Sequence, residues 1–347
     1  MSLFGNLFNK KNIESVVLID IGIDSVAGAY ARYEEGKQPT ILYSRRLPIE
    51  MRHSEPKGQA MMRALKVLGT DLLREGAPTL VRVSGSGTVH TVLVSINAPW
   101  QKTALRTEHF EQVIPFVFNK HMLLSALEKK DTTAPLDHTL VDESVISTIL
   151  NGYETSNPYG KEVHRAAVSI LMSYVDTSII KEVQEFLHGL YHTKKIICLA
   201  GSSLRYQALR AVFPHERDVL ILDTMGPPVT ALVRGGVLVE IVESSGHITR
   251  SASWLKEITT EFSKIAERFP LPRAIFLLAY EQEASARKEI LAAAHFEKLW
   301  LSDNPPKIIP VLGSHMSELV RQTATVSLDS PLSLMALYYR VQRYTQH

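Results

Sequence analysis

The chain has 347 residues, of which 45% are apolar and 21% are charged. This composition excludes a disordered or collagen-like protein, and the length indicates about two domains, each with its own core. The 38 Lys and Arg residues against 36 Asp and Glu give a formal charge of +2. That charge is too balanced for a surface built to neutralise nucleic-acid phosphates, so we expect no nucleic-acid partner.

Cysteine content and the absence of targeting patterns indicate a cytoplasmic protein. Cys198 is the single cysteine, which excludes an intramolecular disulfide, a cysteine-based zinc site and an iron–sulfur cluster. No apolar run approaches the roughly 18 residues needed to span a bilayer. The first lysines follow a very short apolar stretch, which is the reverse of the order in a secretory signal.

Strands dominate the beginning of the chain. Apolar runs bounded by Gly, Pro or charged turns predict a three-stranded meander at Val16–Ile23, Val26–Tyr33 and Thr40–Leu47. An amphipathic helix is predicted at Pro56–Glu75. Two more strands, Thr79–Ser84 and Val89–Ile96, are predicted on either side of a Ser-Gly-Ser-Gly sequence. We interpret that sequence as a hairpin turn rather than a phosphate loop, since no helix begins after it.

The pattern changes between residues 107 and 200, which we interpret as an inserted α+β unit. A core pattern then resumes with a helix at Ser203–Val212, a very apolar strand at Val219–Leu222 and a second hairpin ending at Glu243. The predicted division is therefore an N-terminal amphipathic segment (1–12), the start of a first half (13–106), the inserted unit (107–200), and the end of the first half together with a second half (201–347).

One feature occurs twice in matching strand contexts. An apolar strand ends in an Asp, a Gly lies close behind, and a turn with Ser or Thr leads to a returning strand. Glycine lets the backbone approach a phosphate, hydroxyls donate to phosphate oxygens, and Asp can hold a hydrated magnesium ion. Two such turns facing each other would form a phosphate clamp. The candidate residues are Asp20, Gly22 and Ser25 in the first turn and Asp223, Gly226 and Thr230 in the second.

These residues resemble the bacterial actin-like ATPase-fold family, which includes the cell-division protein FtsA and the type IV pilus assembly protein PilM. DIGIDSV is similar to the family's first phosphate loop, and LILDTMGPPVTALV stands in place of the second. Asn157, Pro158 and Gly160 match a turn between two strands of the family's inserted subdomain. The resemblance implies an α/β, actin-like (ribonuclease H-like) duplicated fold with an inserted strand–helix–strand–strand subdomain.

Several departures from the family pattern concern nucleotide binding. Pro227 and Pro228 have no N–H to offer a phosphate, and Asp24 adds a carboxylate to the first loop. The family's adenosine-binding glycines are missing from Phe276–Glu281, and the short segment before Arg273 implies a reduced second half with a truncated nucleotide-clamping subdomain. We therefore expect vestigial phosphate loops, no catalytic residue, no metal site and no cofactor, with ATP and magnesium as the alternative left open.

The N-terminal segment predicts a docking element. One helical face would carry Leu3, Phe4, Leu7 and Phe8, with Lys10 and Lys11 directly after it. Such a segment can lie in a membrane interface or dock on a partner. The alternative is a disordered tail or a segment packed on its own fold. His188 and His192, spaced four residues apart on a predicted helix, lack a third ligand, so we expect a solvated helix face there rather than a metal site.

By resemblance, the leading interpretation is a PilM-like scaffold, cytoplasmic and peripheral at the inner membrane. It would bind the cytoplasmic tail of a membrane protein in a groove beside the inserted subdomain, during type IV pilus assembly. One alternative is an FtsA-like division adaptor that links a tubulin-like ring to the membrane. A second is a nucleotide-dependent small-molecule kinase of the same superfamily. A homo-oligomer or filament is left open.

Overall fold

The computed structural model describes residues 13–129, 135–244, 253–294, 296, 299–300, 304–323, 326 and 329–345. The predicted amphipathic segment 1–12 lies outside this range. Among the described residues, no helix is long and apolar enough to cross a membrane.

The first half is built on a six-stranded sheet with helices on both faces. Side chains alternate along its central strand, so that Val17 and Ile19 lie in one apolar core while Val16 and Leu18 lie in another. This explains why the strand is a continuous apolar run. In the order β15-β3-β2-β1-β4-β9, the strands are Arg321–Gln322, Thr40–Pro48, Ser25–Glu34, Ile13–Ile21, Thr91–Ile96 and Ile196–Ala200.

Helices from distant parts of the chain cover this sheet. On one face lie α1 (Lys57–Asp71) and α4 (Thr177–Tyr191), and on the other lie α5 (Gly201–Val212) and α8 (Ser330–Thr345). The hydroxyl of Tyr33 on β2 donates to the carbonyl of Ala336 in α8 at 3.1 Å. The last helix is thus a core element of the first half.

The second half repeats the topology of the first. Its sheet order is β12-β11-β10-β13-β14. As in the first half, three antiparallel strands in meander order are followed by two parallel ones. The strands are Val237–Glu243, Val229–Arg234, Val219–Asp223, Ala274–Leu278 and Lys307–Pro310, and the helices are α6 (Ser253–Ala266) and α7 (Ala284–Ala293). Of the described residues between β12 and β13, only α6 forms a regular element, consistent with a reduced second half.

The insertion forms a third sheet with its own apolar core. Its elements, in chain order, are β5 (Gln101–Val117), α3 (Lys120–Glu128), β6 (His138–Leu150), β7 (Tyr153–Glu154) and β8 (Glu162–Asp176). The predicted strand–helix–strand–strand order is therefore present, with β7 as a short addition. Gly160 adopts a φ of +73° in the turn before β8, a conformation that favours glycine.

The structure differs from the sequence-based predictions in two regions. Residues 79–84 belong to a helix, α2 (Ala77–Ser84), and not to a strand. Val81 and Val83 alternate with Arg82 and Ser84, which suggested a strand, but the chain continues the helical path of α1 through a π-helical turn at Leu72–Gly76. The predicted hairpin turn is wrong as well, because Gly85 ends α2 with a φ of +71°.

The second difference is the extent of the insertion. Its sheet begins at Gln101 and ends at Asp176, whereas the sequence suggested 107–200. The element α4 instead packs on α1, so closely that a Cβ on Gly69 would lie 2.9 Å from the ring of Phe186. Likewise β9 pairs with β4 in the first sheet. Residues 177–200 therefore belong to the first half.

The core of the first half gives a test of this packing. Leu65 of α1 is fully buried between the helix and the sheet, whereas Val67 on the same helix is 51% exposed. We expect Leu65→Ala to lower the free energy of unfolding by about 2–5 kcal/mol, through lost burial and a residual cavity. Val67→Ala is the matched control, with an expected change within about 0.5 kcal/mol. Urea unfolding measures both, and equal effects would contradict the packing of α1.

Candidate functional site between the two halves

Asp20 and Asp223 lie at the carboxyl ends of the central strands of the two sheets, as the repeated motif predicted. Asp20 closes the apolar run of β1 and is 1% exposed, and Asp223 closes β10 and is 5% exposed. Each of these strands has a parallel neighbour, β4 or β13. The carboxyl ends of such strands are where open α/β sheets place their ligand sites.

A single arginine lies between the two carboxylates. Arg205, on α5, places Nη2 3.5 Å from Asp20 Oδ1, and its Nη1 donates to Asp223 Oδ2. The arginine is itself buried. One guanidinium therefore joins the loops of both halves from inside.

A second arginine approaches Asp20 from the other side. Arg46, on β3, donates to Asp20 Oδ2 at 3.1 Å, to Ser25 Oγ at 2.8 Å and, through two nitrogens, to the carboxylate of Asp329 at 2.8 and 3.0 Å. Its guanidinium carbon lies 5.1 Å from the ring centroid of Tyr280, within cation–π range. Asp329 also accepts from the Leu332 amide at the start of α8.

The charges of this cluster are mutually stabilised. Burial alone raises the pKa of Asp20, but Arg46, Arg205 and a hydrogen bond from Asn97 outweigh it and hold that pKa below the usual 3.8. Burial lowers the pKa of Arg46 and Arg205, and the adjacent carboxylates more than reverse this. Asp20 and both arginines are therefore charged at neutral pH.

The polar groups of both turns also bond within the chain. The Gly22 amide donates to the Ser25 carbonyl at 2.9 Å, and the Met225 amide donates to Asp223 Oδ1 at 2.9 Å. The Thr224 amide and hydroxyl both donate to the carbonyl of Leu278. A Cβ on Gly22 would lie 3.3 Å from the Ser25 carbonyl oxygen, so glycine fits this tight turn.

Other predicted site residues lie away from the cluster. Thr230 points toward α6, where its hydroxyl donates to Glu261 at 2.8 Å, and burial raises the pKa of that Glu261 to about 7. Gly226 has open space around it, with no atom closer than 3.9 Å to a Cβ built there. Asp24 is exposed, so its carboxylate does not add repulsion inside the first loop. Pro227 and Pro228 are buried.

Tyr280 and Glu281 stand where the resemblance predicts glycines. The Tyr280 hydroxyl is 3.3 Å from Ser25 Oγ, so this side chain of the second half reaches the first loop. Glu281 accepts from the Gly313 amide at 2.9 Å and from the Ser330 hydroxyl at 3.2 Å. Tyr280 thus joins the second half to the first loop, and Glu281 joins it to the start of α8.

The chemistry of this donor set does not fit a magnesium ion. Asp20 and Asp223 are the carboxylates that would hold it, but they already share a buried guanidinium, and a divalent cation beside that group would be repelled. No group of three or more His, Cys, Asp or Glu side chains able to hold a metal occurs in the described parts of the chain. His188 and His192 are exposed.

Comparison with known proteins gives the fold. No family model and no curated protein matches the sequence. Among solved structures, the chain is similar to the PilM-PilN type IV pilus biogenesis complex, with a TM-score of 0.57 and 14% sequence identity over 94% of this chain and 98% of that one. The chain has the actin-like fold.

Two further structures match with lower scores. A protein of unknown function with an actin-like ATPase fold from Bacteroides thetaiotaomicron has a TM-score of 0.46 and 9% identity, over 94% of this chain and 96% of that one. An inorganic polyphosphate/ATP-glucomannokinase from Arthrobacter has a TM-score of 0.41 and 12% identity, over 96% and 100%.

Removing the central arginine tests the cluster. In Arg205→Ala, two buried carboxylates lose their shared cation, so we expect the free energy of unfolding at pH 7 to fall by about 3–5 kcal/mol. In the wild type, the low pKa of Asp20 stabilises the fold above its unfolded value of 3.8, and this contribution is lost as pH falls through the folded value. The difference in the free energy of unfolding between Arg205→Ala and the wild type should therefore become smaller below pH ~4.

The matched control is Arg210→Ala, on the same helix, where the guanidinium bonds the exposed Glu216 carbonyl. We expect it to change stability by less than about 1 kcal/mol. Denaturant unfolding across pH measures both variants. Arg205→Ala would contradict this role if it lowered the free energy of unfolding only slightly at neutral pH, or by an amount that does not change with pH. The contact of Arg205 with Asp20 and Asp223 would then not be the stabilising element.

Proposed function

We propose that this protein is an actin-like scaffold, similar to PilM, that works by protein contacts and has lost nucleotide turnover. The observation that carries the proposal is Arg205 between Asp20 and Asp223. In a nucleotide-binding site of this kind, the two aspartates would face a hydrated cation and phosphates. Here the cation is part of the chain, and turn amides that would serve a phosphate bond to other groups of the chain.

Nucleotide titration tests the loss of this site. Isothermal titration of the full chain with ATP and magnesium should show no binding in the low micromolar range, since each lost hydrogen bond to a charged oxygen is worth about 1.5–3 kcal/mol. ATP hydrolysis should equal that of the buffer. Low micromolar binding that Asp20→Ala abolishes would mean that the cluster opens to admit a nucleotide, and the proposal would fail.

A groove beside the insertion is the candidate docking site. Its volume is about 680 Å³, and it lies between β6, α4 and β9. Leu140, Ile180 and Ile197 supply apolar lining, and Lys181 and Glu185 supply charges. Cys198 lines it too but is buried, and burial raises the pKa of its thiol to about 12. This supports a role for that thiol in packing rather than in chemistry.

Two strand edges flank this groove. Among the described residues, β9 is the last strand of the first sheet, and β6 pairs on its outer side only with β7, through Ile149 and Leu150. An extended peptide can add to such an edge by main-chain hydrogen bonds while its side chains fill apolar pockets. We propose that the occupant is the cytoplasmic tail of an inner-membrane protein of the pilus machinery, with a division-machinery tail as the alternative partner.

Capture of the partner tests this groove. The immobilised full chain should retain an integral membrane protein with a cytoplasmic tail from detergent-solubilised membranes of the source cell, identified by mass spectrometry. Leu140, 43% exposed in the groove, is the position to change. We expect Leu140→Glu to reduce capture at least tenfold, because a buried charge disfavours an apolar contact.

Leu124→Glu is the matched control, since Leu124 is 46% exposed on α3 and does not line the groove. It should capture as much as the wild type. Equal capture by both variants would place the docking site elsewhere, and a captured division protein would decide for the alternative machinery.

A further inference from the structure

Three strands of the first sheet begin, and the helix α8 ends, at the same end of that sheet. The strands β1, β4 and β9 are parallel, with Val16 opposite Thr91 and Val92 opposite Ile196, so all three begin at this end. The described part of the chain therefore enters the sheet here, at Ile13. The last turns of α8 arrive at the same place, because Arg343 Nε lies 3.5 Å from Glu14 Oε2.

This end carries an excess of positive charge. We define the basic end as Lys194, Lys195 and Arg340. Lys194 and Lys195 are exposed directly before β9, and Lys195 Nζ lies 5.9 Å from the Tyr339 ring, which ties it to the end of α8.

The acidic side chains nearby are mostly neutralised. Glu14 accepts a hydrogen bond from the Tyr339 hydroxyl at 2.5 Å and pairs with Arg343. Glu34, with a side chain only 8% exposed, pairs with Lys37 at 2.8 Å and Arg32 at 3.4 Å. Glu35 is the exposed acid of the adjoining turn. Arg343, Arg32 and Lys37 are engaged in these ion pairs, so the excess positive charge of this end comes from Lys194, Lys195 and Arg340.

We propose that the basic end lies flat on the anionic headgroups of the inner membrane and fixes the orientation of the protein there. This inference rests on the proposed scaffold role at the inner membrane and on the docking element that the sequence predicts at the N-terminus. The apolar set Leu3, Phe4, Leu7 and Phe8 is short, and short anchors need a second signal to hold a protein on a bilayer. Basic side chains of the folded domain, next to the point where that segment begins, supply this signal.

The orientation brings the docking groove to the membrane. Ile196, at the start of β9, lines the groove and directly follows Lys195 of the basic end. A tail that leaves the bilayer beside the protein would reach the groove within a few residues. The basic end thus binds the membrane and places the groove near proteins that are embedded in that membrane.

Vesicle binding tests the basic end. The probe is phosphatidylcholine vesicles with and without phosphatidylglycerol, with the full chain followed by flotation. We expect Lys194→Gln/Lys195→Gln to bind the anionic vesicles about 30-fold more weakly than the wild type, from the loss of two charges near the surface. Added salt should weaken wild-type binding in the same direction.

The matched control is Lys256→Gln/Lys288→Gln, which removes two exposed lysines from α6 and α7 in the second half and should bind like the wild type. Thermal melting confirms that both double variants fold. Deleting residues 2–9 should reduce binding to both kinds of vesicle.

The outcomes distinguish membrane binding by the basic end from anchoring by the N-terminal segment. Wild-type binding that is equal for both double variants overturns the basic end but leaves the N-terminal anchor standing. A wild type that binds neither vesicle overturns both. Capture of a tail in detergent does not depend on a bilayer, so the scaffold role stands or falls separately.

Discussion

The contact on which the arrangement of this molecule depends is the buried guanidinium of Arg205 between Asp20 and Asp223. Removing three charges from water is costly, and the cost is offset only where geometry and additional hydrogen bonds are good. Asn97 and Arg46 supply those bonds to Asp20. Because the carboxylates end the central strands of different sheets, the bridge fixes one half of the fold against the other.

Further contacts act in the same direction. Arg46 joins β3 to Asp329 at the start of α8, and Tyr280 extends from the second half to Ser25 in the first. The insertion is held as well, because Thr103 of β5 donates to Glu243 at the end of β12 at 2.6 Å. In a nucleotide-dependent relative, a ligand would supply such cross-links and could release them. A cleft closed by the protein's own side chains needs no ligand to stay closed, which supports the scaffold role proposed above.

The sequence predicted the duplicated strand pattern and the position of both aspartates, because an apolar run that ends in an Asp with a Gly close behind is a local feature. It did not reveal Arg46, Arg205 or Asp329, which reach Asp20 or its neighbours from positions 26 to 309 residues away in the chain. One signal was present: Arg205 lies among Leu204, Ala208 and Leu209 on the buried part of α5, and an arginine on such a face needs a buried acid. The helix α2 was missed because its alternating Val residues imitate a strand, and only the continuation of α1 decides it.

The position of α8 and β15 has a consequence for how the chain folds. Residues 321–322 complete the edge of the first sheet beside β3, and α8 covers its face, with the rings of Tyr33 and Tyr339 4.9 Å apart. During synthesis the first half emerges early, yet one of its faces is covered only by α5 until α8 (Ser330–Thr345) leaves the ribosome. Contacts of such long sequence separation form slowly, and exposed apolar surface in the interval favours aggregation. We therefore expect the nascent first half to need protection from aggregation, and the two halves are not separable units.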